Sequence, residues 1–178
     1  VHYKGKYPKK FEEKYKELQP EKYKDTIAHV IQKGNTPAGM HISIMVKEIL
    51  DFLEIKPGQV GFDATLGYGG HTKAMLQCLQ GEGHMYATDV DPEESAKTRK
   101  RLAEQGFGED MLTVKLQNFC TIDEIAKEVG GFDFILADLG VSSMQIDNPK
   151  RGFSYKVDGP LDLRLNQEKG ISAAERLD

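Results

Sequence analysis

From residue 60 to residue 137 the chain switches repeatedly between short apolar runs and longer amphipathic stretches. Val60-Gly61-Phe62-Asp63, Gly83 to Asp89, Leu112 to Leu116 and Phe132 to Ala137 have the length and apolar content of buried strands. Between them, residues 71–79, 92–104 and 122–129 carry apolar side chains at helical spacing, with Ala74, Met75, Cys78 and Leu79 facing inward in the first. Asp91 stands as an N-cap with Pro92 in the first turn, and Thr121 stands as a cap for 122–129. Short strands joined by helices predict right-handed crossovers and a parallel sheet with helices on both faces.

Upstream, residues 9–33 read as a helix with Tyr15, Leu18, Tyr23, Ile27, Val30 and Ile31 as apolar positions, broken at Gln19-Pro20. A turn cluster follows at 34–39. Ile44, Met45, Ile49, Leu50 and Leu53 then mark a second helix that Pro57-Gly58 ends. After Asp138 periodicity is lost. Residues 139–169 are rich in Gly, Pro, Ser and Asp, and an irregular segment of that length in a compact domain is functional or disordered. Residues 171–177 read as the start of another helix.

Open parallel sheets bind ligands beyond the strand C-termini, where strand order reverses. Each of the four strands here ends in polar groups: Asp63 and the glycines after it, Asp89, Asn118-Phe119, and Asp138. The loop Asp63-Ala64-Thr65-Leu66-Gly67-Tyr68-Gly69-Gly70-His71 lies between a strand and a helix. A dinucleotide fingerprint needs a third glycine where Thr72 stands, which disfavours an NAD-linked oxidoreductase, and a Walker loop needs a Gly-Lys-Ser/Thr ending that is absent. Gly67, Gly69 and Gly70 allow close backbone approach, and the helix start at Gly70-His71 offers free N–H groups to an anion. A carboxylate suits that site as well as a phosphate. S-adenosylmethionine carries a carboxylate, a ribose diol and an adenine. Asp89 is a candidate for the diol, Phe119 for one adenine face, and Asp63, just before the loop, for the ammonium, directly or through water.

Composition adds bounds. The 178 residues suffice for one domain with a sizeable core. No apolar run reaches the length of a membrane span, no secretory leader is expected, and Cys78 and Cys120 are expected to be reduced thiols in a cytoplasmic protein. His2, His29, His41, His71 and His84 are scattered without metal-ligand spacing, so no metal is expected. The net charge of −4 is unevenly spread: residues 1–25 hold eight Lys against five acids. A basic end on an acidic body is either an RNA-contacting arm or a solvated terminus.

Asp138-Leu139-Gly140-Val141-Ser142-Ser143-Met144-Gln145-Ile146-Asp147, then Arg151-Gly152-Phe153-Ser154 and Asp158-Gly159-Pro160-Leu161-Asp162-Leu163-Arg164, resemble one family, as does Asp-x-Thr-x-Gly-x-Gly-Gly-His at 63–71. These are the 16S ribosomal RNA (cytosine-N(4))-methyltransferases, the RsmH or MraW family, and the likeness runs from about Met40 to the last residue. It departs at Ser43, where the family usually has a proline two residues after the histidine matched by His41. The resemblance implies a Rossmann-like class I methyltransferase domain over residues 40–178, following a basic N-terminal extension and linker over 1–39. It implies an α/β sheet left incomplete at about four strands, because the family continues into a helical insertion and further strands. The chain is therefore expected to be an N-terminal piece of a longer enzyme, with an open edge on its fourth strand that invites self-association.

The implied activity is methylation of the exocyclic amino group of a cytidine in 16S ribosomal RNA of the small subunit, with S-adenosylmethionine as cofactor. The family's cofactor contacts fall on Gly69, Gly70, His71, Asp89, Phe119, Asp138 and Gln145. Asp138 is the candidate catalytic residue, because a hydrogen-bond acceptor beside a cytosine amino group favours its reactive, pyramidal form. No aromatic follows Asp138, so Phe153 or Tyr155 is expected to stack on the base, and Arg151, Lys156 or Arg164 to bind phosphates. The competing reading is a non-catalytic cofactor- or RNA-binding fragment of such an enzyme.

Overall fold

The computed structural model describes residues 43–178. The expected helix at 9–33, the turn at 34–39 and the basic arm lie outside the described residues. Four parallel strands, β1 (Val60–Asp63), β2 (His84–Asp89), β3 (Leu112–Leu116) and β4 (Phe134–Leu136), form one sheet in the order β3-β2-β1-β4. The chain steps outward from β1 through β2 to β3, then returns to place β4 on the other side of β1. Strand order therefore reverses between β1 and β4.

The helices are α1 (Val46–Leu53), α2 (Gly70–Leu79), α3 (Pro92–Glu104), α4 (Ile122–Val129), α5 (Ser143–Asp147) and α6 (Ala173–Leu177). Met75, Leu76 and Leu79 of α2, Leu102 of α3, and Leu50 and Leu53 of α1 pack with Met85, Ala87, Leu112 and Phe134 of the sheet. Phe62 packs on the opposite face with Ile125, Ile122 and Val129 of α4, and with Phe132. Helices thus cover both faces, as the alternation requires. Leu76 belongs to this core although the sequence reading passed over it, while Ala74 and Cys78 are only partly buried. Gly61 is the hinge of this packing: a Cβ there would collide with the Phe134 ring and the Met85 sulfur.

Local signals explain the element ends. The Asp91 carboxylate accepts N–H bonds from Glu93 and Glu94, capping α3. Thr121 occupies the N-cap position of α4 but does not cap it. Its hydroxyl donates instead to the Asn118 carbonyl, and the Asn118 side chain accepts from the Cys120 N–H. α1 ends at Leu53 with Glu54 in the left-handed region, before Pro57 is reached. β4 is shorter than the expected 132–137 at both ends, and just before it the Asp133 side chain accepts the Val60 N–H while its own N–H donates to the Val60 carbonyl. The segment after Asp138 is not wholly irregular. Ser142 and Gln145 form a capping box that starts α5, and Asn148 caps a short 3₁₀ turn over Pro149–Arg151.

Candidate active site

A cavity of about 450 Å³ opens at the β1/β4 switch point. Its floor is the loop Ala64 to His71; Asp89 and Glu94 stand on one side, Gln117 to Phe119 beyond them, and Asp138 to Ser142 with Gln145 and Leu165 opposite. The predicted strand ends are thus brought together, with one exception.

That exception is Asp63. It is 1% exposed and does not reach the cavity, so it cannot hold a ligand's ammonium directly. Its carboxylate accepts from Thr72 Oγ1 at 2.6 Å and from the Thr65 N–H at 3.0 Å, tying the loop to α2 from below. Burial raises its pKa above the usual carboxylate range, against the lowering effect of the Thr72 bond.

The glycine loop is held by α3. Thr98 Oγ1 donates to the Gly67 carbonyl at 2.6 Å, and Arg101 donates to the Tyr68 carbonyl at 2.6 Å while its guanidinium lies over the Tyr68 ring. Gly69 has φ +80°, and a Cβ there would stand 2.7 Å from Thr98 Cγ2. Glycine at 69 therefore serves packing against α3 as well as access to a ligand. Gly70 and His71 line the cavity, and as the first amides of α2 their N–H groups have no intrahelical partner and are donors suited to an anion. His71 Nε2 donates to the Ile44 carbonyl at 2.9 Å, leaving Nδ1 3.8 Å from Asp138 Oδ2. At that distance they share no hydrogen bond, and only a protonated ring would pair with the aspartate.

Asp89 accepts the Gly67 N–H on one oxygen at 2.8 Å and the Asp91 N–H on the other at 2.9 Å. Each oxygen keeps a lone pair for a further donor, which fits a diol. Phe119 is 40% exposed on the cavity wall, and the Asp138 side chain is 49% exposed at the tip of β4. Anion site, diol acceptor and apolar ring thus fit the groups of S-adenosylmethionine.

Three sequence assignments change. Gln145 borders the cavity, but its amide is engaged: Oε1 accepts the Ser142 N–H and Nε2 donates to Asp91 Oδ2 at 3.0 Å. Arg151 is 7% exposed, so it does not offer itself to phosphates. It pairs with buried Asp91 at 2.8 Å and donates to the Leu165 carbonyl at 2.7 Å. Arg164 grips Asp162 through Nε and Nη2 at 2.8 and 2.7 Å and donates to the Gly170 carbonyl. That guanidinium holds the Asp162 carboxyl well below the usual carboxylate range. Phe153 is half-buried, Lys156 is exposed and Tyr155 is 96% exposed, and none of the three lines the cavity. Among the described residues no group of three or more His, Cys, Asp or Glu could hold a metal, and no helix is long and apolar enough to cross a membrane.

Thr65, Asp91, Thr98 and Arg101 organise the site yet went unassigned in the sequence, apart from Asp91 as a cap. The run Asp89-x-Asp91-Pro92 was a usable signal for Asp91; Thr98 and Arg101 lie in an ordinary amphipathic helix and show none.

A glycine loop after the first strand, an acid at the end of the second, and a polar group beyond the strand adjoining the switch point define a Rossmann-like domain of the class I methyltransferase type. Its cofactor is S-adenosylmethionine. The chain belongs to the MraW methylase family, whose model matches residues 38–178. It is 86% identical over 178 residues to ribosomal RNA small subunit methyltransferase H 1 of Agathobacter rectalis, covering 100% of this chain and 51% of that one. The protein of the same name from Lachnoclostridium phytofermentans is 73% identical over 98% of this chain and 48% of its own. Ribosomal RNA small subunit methyltransferase H 2 of Alkaliphilus metalliredigens is 64% identical over 99% and 51%. The chain spans about half the length of the curated relatives it matches.

Proposed function

We propose that the chain supplies the cofactor-binding part of a cytoplasmic enzyme that methylates the exocyclic N4 amino group of a cytidine in 16S ribosomal RNA, within the small ribosomal subunit. Residues 40–178 make the cofactor domain and residues 1–39 a basic extension. The observation that supports this best is the convergence, at one switch point, of the α2 N-terminus, Asp89, Phe119 and Asp138. When bound, S-adenosylmethionine supplies an electrophilic methyl group on a sulfonium.

The chain's residues then have separable tasks. The Gly70 and His71 amides receive the cofactor's carboxylate, Asp89 its ribose hydroxyls, and Phe119 an adenine face. The half-exposed Asp138 carboxylate accepts a hydrogen bond from the target amino group and takes up its proton as positive charge develops there. Tyr155 and Lys156, exposed and uncommitted to the cavity, are the remaining candidates for RNA beyond its mouth. Calorimetry with S-adenosylmethionine and with NAD, followed by transfer of labelled methyl to undermethylated small subunits, tests this reading. Binding of NAD in preference to S-adenosylmethionine would refute it.

A second reading, a cofactor- or RNA-binding unit without turnover of its own, draws support from one observation. Arg151 and Arg164, two expected phosphate contacts, are spent within the fold. Cofactor binding without methyl transfer would favour it. Self-association through β4, which has no strand beyond it among the described residues, belongs with this proposal, and light scattering tests it.

A further inference from the structure

The ladder between β1 and β4 stops where the site begins. Its last regular bonds pair Asp63 with Leu136, and the Ala64 N–H still reaches the Leu136 carbonyl at 2.8 Å. In a parallel ladder of this register the next bond would run from the Asp138 N–H to the Ala64 carbonyl. That carbonyl is taken by Thr88 Oγ1 at 3.0 Å, and the Leu66 N–H donates to the Thr88 carbonyl at 3.0 Å. The chain after β1 thus leans toward β2 and away from β4, which opens the crevice.

One side chain spans that crevice. Thr65 Oγ1 accepts the Asp138 N–H at 2.8 Å. The Thr65 N–H is bonded to Asp63 Oδ1 at 3.0 Å, and its hydroxyl faces the same oxygen at 3.4 Å. Asp63 is itself anchored to α2 through Thr72. The bridge therefore runs from the start of α2, through a buried carboxylate and a threonine, to the backbone of the candidate catalytic aspartate.

We propose that Thr65 is a positioning residue: its hydroxyl latches the tip of β4 to the tip of β1 and sets where the Asp138 carboxylate stands relative to the glycine loop. The role rests on the methyltransferase reading of the cavity. Asp138 lies at an exposed edge, so water can replace the hydroxyl and the fold loses little. Turnover is sensitive in another way, because a displacement of about 1 Å between reacting groups can slow a reaction by about 100-fold. Valine matches the shape of threonine without the acceptor, and serine keeps the acceptor.

The test compares the full chain with Thr65→Val and Thr65→Ser in three measurements: amide hydrogen exchange at Asp138 by NMR, calorimetric affinity for S-adenosylmethionine, and methyl transfer to undermethylated small subunits. In Thr65→Val the Asp138 amide is expected to exchange at least about 10-fold faster, with serine restoring protection. Cofactor Kd should stay within about threefold of wild type while turnover at saturating cofactor falls about 10- to 100-fold, and serine should recover most of it. Unchanged exchange in Thr65→Val overturns the latch. Faster exchange with undiminished turnover overturns its positioning role, as does equal loss in the valine and serine variants. A wild-type chain that neither binds cofactor nor transfers methyl sinks the proposed function instead, and the exchange data still decide whether the latch exists.

Discussion

Arg151→Met removes a buried guanidinium from a node that joins three parts of the cavity wall. In the native fold Arg151 stands 2.8 Å from Asp91 Oδ2, and Gln145 donates to that same oxygen at 3.0 Å. The side chains are 8% and 1% exposed, so solvent screens the pair weakly. Removing one partner of a buried pair costs about 3–5 kcal/mol, because the other charge is left uncompensated. Asp91 would keep the Glu93 and Glu94 amides and the Gln145 amide, which places the loss near the lower end, about 3 kcal/mol. In a chain of this length that lowers Tm by about 6–12 °C. Thermal and urea unfolding, followed by circular dichroism, would be measured for wild type, Arg151→Met, Asp91→Asn and the double variant. Asp91→Asn removes the charge that Arg151 answers, so the double variant should fall short of the summed losses by about 1–3 kcal/mol. A Tm for Arg151→Met within about 2 °C of wild type would refute the reasoning and return Arg151 to the role of a nucleic-acid contact.

Gly69→Ala should destabilise more than Gly81→Ala. Both glycines have φ near +80°, costing about 1–2 kcal/mol for a Cβ, but only Gly69 also abuts Thr98; equal losses in unfolding experiments would mean that the approach to α3 is slack. Asp89→Asn keeps the shape but turns a donor toward the Asp91 N–H and removes the charge. Its calorimetric Kd for S-adenosylmethionine should rise about 10-fold or more, and an unchanged Kd would take Asp89 out of the site. Asp63→Asn tests pH linkage. A carboxyl whose folded pKa is raised stabilises the fold most in acid, and that contribution is lost as pH climbs from about 4 through the folded value. The Tm of Asp63→Asn relative to wild type should therefore improve with rising pH, and a pH-independent difference would contradict the assignment.

The elements were legible because their causes are local. Alternation and helical spacing located every strand between residues 60 and 137, and Asp91-Pro92 marked the start of α3 at the residue where it begins. That the glycine loop, Asp89, Phe119 and Asp138 border one cavity was legible because the parallel topology, once inferred, places strand ends together. That Asp63 makes no direct contact with the cavity was not legible, because its place next to the loop says nothing about which face of β1 it occupies. In the fold it points down onto Thr72. Thr121 shows the same limit at short range: the right residue at the N-cap position, with its hydroxyl turned to another partner.

The basic residues after Asp138 mark the boundary more sharply. Arg151, Lys156 and Arg164 carry the same sign and the same donors, and nothing in their neighbours separates the one left in solvent from the two drawn into ion pairs. Residue type and spacing determine which bonds a side chain is able to make, and so the periodic elements and the inventory of site groups follow from the sequence. Which partner it takes is settled only when distant segments meet, as Thr65 meets Asp138 across 73 positions and Gln145 meets Asp91 across 54. Burial then forces a polar group to find a partner, and in this protein that requirement turned Arg151, an expected RNA contact, into the pin of the cavity wall, while the fold's path beyond β1 and β4 brought a loop threonine to the backbone of the candidate catalytic aspartate.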